Sequence, residues 1–322
     1  MKASSLRSTR WRYAELVFWL LPVLAYFLLP NYLALGSQIL IMALFALSLD
    51  IVVGFTGIVS VGHALFFGIG AYVAGAVSVM GWGEPLTGLL IAALASAVVG
   101  FLSSLLIVRG NQLARMMITL GLSALVYEAA GRAKGITGGS DGMQGIDIWN
   151  LLGLFHFDMQ GKTAYVYCLV VVFVLFVLVR RVVRSPYGLA LTGIRENTPR
   201  MRALGVRVDR LQIVGVTFAA ALAGVAGALQ AQTTQFVGVD SLGLQRSADG
   251  LIMLVLGGVG RLYGGLIGAA VYMIGHEFLS SLNPVYWTFW MGLLLVALTI
   301  FIRGGILGLL DRLQRWLKRA RS

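Results

Sequence analysis

The chain has 322 residues, of which 58% are hydrophobic and 12% charged, with a mean hydropathy of +0.87. Too little polar surface remains to cover a fold in water, so lipid is the solvent the sequence specifies and no stretch is left for a soluble domain. The formal charge of +12 does not point to nucleic acid, because the basic residues lie in short clusters between apolar runs and at both ends, which is the pattern of membrane topology.

A bilayer core is about 30 Å thick, so each helical span needs roughly 20 apolar residues. Lys2, Arg7, Arg10 and Arg12 precede an apolar run from Leu16 to about Leu35. The charge order is that of a signal peptide. The run is long for a signal core, contains Pro22 and Pro30 and lacks a clear small-residue cleavage site, and is read as an uncleaved first span. Further apolar runs lie near 37 to 53, 59 to 80, 85 to 108, 113 to 131, 163 to 180 and 211 to 235. Three shorter ones follow near 248 to 259, 264 to 282 and 285 to 303. The run at 248 to 259 is too short to cross as a straight helix, which predicts a broken or re-entrant element, tolerated at membrane depth only where protein buries it or water lines it.

The expected fold is all-α, a polytopic transmembrane helical bundle of about ten spans, some short or broken. Cytoplasmic loops retain Lys and Arg, so the basic N-terminus starts inside. Counting from it places Arg109 and Arg115 inside, the 132–162 segment outside, and the 181–210 segment inside with Arg181, Arg184, Arg195, Arg200, Arg202, Arg207 and Arg210. If the 248 to 259 run is re-entrant, the parity beyond it changes. The resulting division is a basic cytoplasmic N-terminus (1–14), a transmembrane domain (15–305) and a basic tail (306–322). In that tail Ile306, Leu309, Leu310, Leu313, Trp316 and Leu317 fall at helical spacing, with Arg312, Arg315, Lys318, Arg319 and Arg321 filling the other face. Such a helix lies along the cytoplasmic membrane surface, or the segment is a solvated basic end.

Chemistry is sparse. A single cysteine, Cys168, supports neither an intramolecular disulfide nor a multi-cysteine metal site. No stretch matches GxxxxGK[ST], so any nucleotide that drives the protein is bound by another chain. The histidines His63, His156 and His276 are far apart and follow no metal-ligand spacing, and no catalytic residues are expected. Many of the 41 glycines recur at packing intervals: Gly260, Gly264 and Gly268 are four apart, as are the small residues Ala219, Ala223, Gly227 and Ala231. Lines of small residues let helix backbones approach closely, a packing role favoured over substrate contact.

The segment from Gly54 to Gly75 is more informative. Gly54, Gly57, Ser60, Gly62 and His63 bring a loosened, polar backbone into an apolar region beside Asp50. Ionisable groups at membrane depth are costly, so Asp50, His63 and Glu128 are pathway candidates, or else hydrogen-bonding partners between helices. In the 184–210 segment Thr198 can cap a short helix, Pro199 suits its first position and Gly205 can end it. Such a helix can dock into a partner's groove, or the segment is an ordinary positive-inside loop.

These blocks together resemble a known family. VGFTGIVSVGHALFFGIGAYVAG at 53–75, TGGSDGMQGI at 137–146, SPYGLALTGIRENTPRMRALGV at 185–206 and VLGGVGRLYGGLIGAA at 255–270 occur in the order and spacing of the permease subunits of branched-chain amino-acid importers of the ATP-binding-cassette class. The resemblance covers most of the chain. It implies a bacterial inner-membrane importer in which this chain pairs with a second homologous permease. Two ATPase subunits dock on the cytoplasmic side, and a periplasmic binding protein delivers substrate. No cofactor is expected in this chain, ATP and Mg being bound by the ATPase subunits. The segment Arg195, Glu196 to Ala203, Leu204 and Gly205 is similar to the cytoplasmic element that transmits ATPase closure to the channel. Leu189 and Thr192 stand where the family often carries basic residues, Arg261 where it has a small or polar one, and Gly265 where proline is frequent. The cargo implied is a branched-chain or related amino acid, although relatives also carry urea, amides and other small carboxylates.

The expected mechanism is alternating access without covalent chemistry in this chain. The rivals are an ion-coupled secondary transporter, which would also use interrupted helices, and a passive channel for a small solute. The first is disfavoured by the few intramembrane carboxylates, and both leave the coupling-like loop unexplained. The glycine spacing of 248–275 echoes that of 50–75, a hint of an internal repeat.

Overall fold

A computed structural model describes residues 13–150, 161–282, 286, 289–293, 296 and 304–309. The basic N-terminus with Lys2, Arg7, Arg10 and Arg12, His156, most of the run expected at 285 to 303, and the tail beyond Leu309 lie outside the described residues.

The described chain is an all-α bundle. Its helices are α1 (Tyr13–Leu28), α2 (Leu33–Asp50), α3 (Ala64–Val79), α4 (Pro85–Ile107), α5 (Gln112–Arg132), the short α6 (Lys134–Thr137), α7 (Lys162–Arg184), α8 (Pro186–Glu196), α9 (Thr198–Ala203), α10 (Val208–Thr234), α11 (Leu244–Gly257) and α12 (Gly264–Leu282). Six apolar helical stretches are long enough to cross a membrane, Pro30–Phe55, Pro85–Ile107, Gln112–Arg132, Lys162–Arg184, Val208–Thr234 and Gly264–Leu282. By contrast α3 has 16 residues and α11 only 14. The protein is therefore a multi-pass membrane protein with long spans and short, interrupted ones.

The expected first span is divided where it contains Pro30. Helix α1 stops at Leu28 and a 3₁₀ turn, Pro30–Tyr32, leads into α2, because proline has no N–H to continue the ladder. The run expected from 59 likewise becomes helical only at Ala64.

Helix α10 forms the middle of the bundle, packed against α2, α3 and α4. Its line of small residues explains how. Ala219, Ala223 and Ala231 are fully buried, and a Cβ on Gly227 would stand 1.8 Å from the Phe67 carbonyl oxygen of α3. Backbones this close gain dispersion and interhelical contacts that lipid cannot replace. Only part of the other expected glycine line holds: Gly264 and Gly268 lie on α12 against α11, whereas Gly260 lies off the helix with φ +75°. The outer faces of α4 and α5 keep large apolar side chains exposed, among them Leu90, Leu94, Leu113 and Met117, as helices facing hydrocarbon do.

The basic loops gather at one end. Glu15 on α1 pairs with Arg180 at 2.5 Å and Arg184 at 3.1 Å on α7, and Arg115 on α5 reaches Gln212 on α10 at 3.5 Å. At the far end Met143 and Val237 exchange backbone hydrogen bonds, and the Trp149 N–H donates to the Gly83 carbonyl at 2.8 Å.

Candidate functional site

Helix α2 does not end cleanly. Its last turn widens into a π-helical turn, Ile51–Phe55, and residues 56–63 run without helix until α3 begins. Glycines permit this path: Gly57 has φ +73°, and a Cβ on Gly62 would fall 2.0 Å from the Thr119 carbonyl oxygen. A break frees backbone groups that cost several kcal/mol if left unpaired in hydrocarbon. Neighbouring helices supply the partners. The Val61 N–H donates to Thr119 Oγ1 of α5 at 3.3 Å, the Ala64 N–H to Ser247 Oγ of α11 at 2.9 Å, and Gln212 Nε2 of α10 donates to the Thr56 carbonyl at 3.3 Å. His63 is fully buried, its Nε2 3.0 Å from Ser48 Oγ and its ring packed near Phe45 and Phe66.

A second break, residues 258–263, separates α11 from α12. Gly258 has φ +113° and Gly260 φ +75°, conformations that side chains other than glycine's rarely adopt. The two breaks meet. The Gly260 N–H donates to Oδ1 of the fully buried Asp50 at 2.7 Å. Arg195, at the end of α8, donates through Nη1 to the Gly54 carbonyl in the π-helical turn, and the same Nη1 would stand 2.4 Å from a Cβ on Gly260. Carboxylate, amide, carbonyl and guanidinium thus form one node joining both interrupted segments to a helix of the basic end.

Beyond Arg195 lies α9, a six-residue knob. Its cap differs from the expected one. Asn197, rather than Thr198, accepts the cap bond, from the Arg200 N–H at 3.0 Å. The Thr198 hydroxyl is already engaged with the Ile194 carbonyl of α8 at 2.8 Å, because a second helix stands directly before the first residue of α9. The segment is therefore two helices rather than the single one expected. Its end matches expectation: Gly205, at φ +81°, lets the Val206 N–H return to the Met201 carbonyl at 3.1 Å and its own N–H to Arg202 at 3.0 Å, the paired closure that stops a helix. Ala203, Leu204 and Gly205 are exposed. Helix α8 is held to the bundle by buried Leu191 and Ile194 and by the Tyr187 hydroxyl, which donates to the Leu211 carbonyl at 2.9 Å; burial pushes that phenol upward, so it remains a donor.

The structure thus brings Asp50, Gly54, Gly57 and Arg195 together at the node, and places His63 and the buried Ser60 within the first break. Glu128 is elsewhere, on the exposed face of α5, paired with Arg132 at 2.7 Å. Glu196 is exposed at the α8–α9 junction. Sequence reading missed Thr119, Gln212, Ser247 and Gly260 as partners of the breaks. Gln212 alone carried a signal, as an amide inside an apolar run.

A family model described as the permease component of branched-chain amino acid transport systems matches residues 31–302. The chain is 30% identical over 297 residues to the high-affinity branched-chain amino acid transport system permease protein LivM of Salmonella typhimurium, covering 85% of this chain and 69% of that protein. It is 31% identical over the same length to the LivM protein of Escherichia coli, with the same coverage. No solved structure matches the chain.

Proposed function

The chain belongs to the family of permease components of branched-chain amino acid transport systems, and on that premise we propose that it is one permease subunit of an ATP-driven importer in the bacterial inner membrane. It is a transport subunit rather than an enzyme, as its relatives are. In this reading a second, homologous permease completes the channel. Two ATPase subunits, holding ATP and Mg, dock at the basic, cytoplasmic end over the 181–210 segment. A periplasmic binding protein delivers a branched-chain or related amino acid to the far end, where Met143, Trp149 and Val237 lie.

The observation that carries the reading is the connection from the exposed knob of α9 to both helix breaks through Arg195. Closure of the ATPases displaces α9. Helix α8 moves with it, and Arg195 changes its hold on the Gly54 carbonyl beside Gly260. Each partner favours one conformation of the breaks, and its differential affinity shifts the population between inward- and outward-facing states. Asp50, Gly54, Gly57, Ser60 and His63 then shape the pathway by setting the bend of α2 and α3.

The test is reconstitution of the chain with its partner permease, ATPase and binding-protein subunits in liposomes, following uptake of labelled leucine. Uptake is expected to require ATP and to collapse in Gly205→Arg while the complex still assembles, because a Cβ at Gly205 meets nothing within 4 Å and only φ and the docking surface are disturbed. Leucine flux through this chain alone, without ATP, would sink the reading in favour of a channel or ion-coupled carrier.

A further inference from the structure

Between α5 and the start of α11 lies a cavity of about 620 Å³, bordered by Leu120, Ser123, Tyr127, Asp240, Arg246 and Asp249. It lies at membrane depth. Ser123 is near the middle of the 21-residue α5, roughly 15 Å from either end at 1.5 Å per residue, and its hydroxyl donates to the Leu242 carbonyl at 3.2 Å beside the first turn of α11. Arg246 touches α2 at a similar level, its Nη1 3.7 Å from Met42 Sδ, and lies 5.8 Å from the centre of the Phe67 ring.

Charges here are underused by the fold. Among the described residues no carboxylate pairs with Arg246; a thioether and an aromatic face are its neighbours. Asp249, three residues on and therefore on the same face of α11, accepts from the Tyr272 hydroxyl at 2.7 Å and Gln245 Nε2 at 3.3 Å, both at Oδ1. Its Oδ2 accepts nothing among the described residues. The first residues of α11, Leu244 and Gln245, also border the cavity, which sets the positive end of a helix beside Arg246. Arg246 further lines a smaller polar cavity with Gln38, Gln230 and Thr233. A guanidinium and a carboxylate at mid-membrane, each with unused capacity and facing one cavity, are costly unless a ligand or ion completes them.

We propose that this cavity is a binding site on the permeation path for a zwitterionic α-amino acid. Arg246 and the start of α11 take the carboxylate, Asp249 takes the ammonium with Asp240 at the exposed rim, and Leu120 and Leu242 face the apolar side chain. This rests on the importer reading above and names the residues by which that importer would hold its cargo.

The experiment uses the assembled importer in liposomes with Ala124→Cys, which places a thiol in the cavity wall; the native Cys168 is fully buried. Labelling by a charged methanethiosulfonate is followed with leucine, leucinamide or 4-methylpentanoate present, and ATP-driven leucine uptake is measured in the same vesicles. Leucine is expected to slow labelling several-fold, while leucinamide, without the carboxylate, and 4-methylpentanoate, without the ammonium, do so weakly. Arg246→Gln and Asp249→Asn should each raise the half-protecting leucine concentration about tenfold or more, with Arg246→Lys intermediate. A thiol that does not label, or protection equal in the variants while wild-type uptake persists, overturns the site and leaves the importer standing. Absence of ATP-driven uptake in the wild-type complex overturns the importer reading itself.

Discussion

The two helix breaks meet at one node but are built by different means. The first, residues 56–63, is tied from outside by side chains of three other helices, Thr119, Gln212 and Ser247, and encloses a buried histidine. The second, residues 258–263, turns on glycines with φ +113° and +75°, donates from the Gly260 N–H to Asp50, packs the Tyr263 ring against Phe18 of α1 and Phe176 of α7, and is more exposed. A break fixed by many directional bonds is part of the frame. A break whose path turns on glycine conformation, and which is more exposed, is the segment that can change path at smaller cost. Arg195 touches both, so motion at the basic end has a rigid side and a yielding side to act on.

The largest effect that separates them is an alanine at equivalent glycines. In Gly62→Ala the new Cβ would stand 2.0 Å from the Thr119 backbone oxygen, so α5 or α3 must shift, costing roughly 3 kcal/mol. In Gly260→Ala the closest atom, at 2.4 Å, is the end of the flexible Arg195 side chain, and the main cost is the left-handed φ, about 1 to 2 kcal/mol. Thermal unfolding of the purified protein in detergent should therefore fall further for Gly62→Ala, whereas ATP-driven uptake should be lost in both. Equal destabilisation would show that the second break is as fixed as the first.

Smaller effects address the node. Asp50→Ala strands the Gly260 N–H in the interior and should cost about 1 to 3 kcal/mol. Arg195→Ala removes a hydrogen bond made by an exposed residue and should cost at most about 1 kcal/mol, while uptake falls sharply. The two residues act on the same pair of breaks, so their double mutant should depart from additivity by about 0.5 kcal/mol or more. Strict additivity in unfolding would divide the node into two unrelated contacts.

Much of this frame is legible in the sequence. Spans are visible because a bilayer demands long apolar runs, and the first break is visible because glycines and a histidine interrupt one. The partners of that break are not visible. Thr119 and Ser247 satisfy it across 58 and 183 residues of chain, and no local spacing encodes that. Gly260 fell on an apparent helical line because a four-residue interval cannot distinguish a packing stripe from a turn. Arg246 and Asp249 escaped notice for a related reason. The apolar runs end near 235 and resume near 248, a pattern that assigns Arg246 to a loop and Asp249 to the edge of a run. Helix α11 instead begins at Leu244 and carries both charges to the border of the cavity beside α5.

The smallest expected effect concerns α9, the helix that follows Arg195 in the chain. Asn197→Ala removes the side-chain oxygen that accepts from Arg200, which should weaken the cap of α9 by about 1 kcal/mol. Thr198→Ala loses only a bond back into the preceding helix and should have a smaller effect on α9 itself. A six-residue helix contributes too little to the global transition for its loss to register in thermal unfolding, so hydrogen exchange over 198–206 is the appropriate measurement. Faster exchange there in Asn197→Ala, with unchanged protection around 56–63 and reduced ATP-driven uptake, would place α9 upstream of a frame that stays intact. Faster exchange spreading into 258–263 alone would identify the glycine-held break as the half that follows α9.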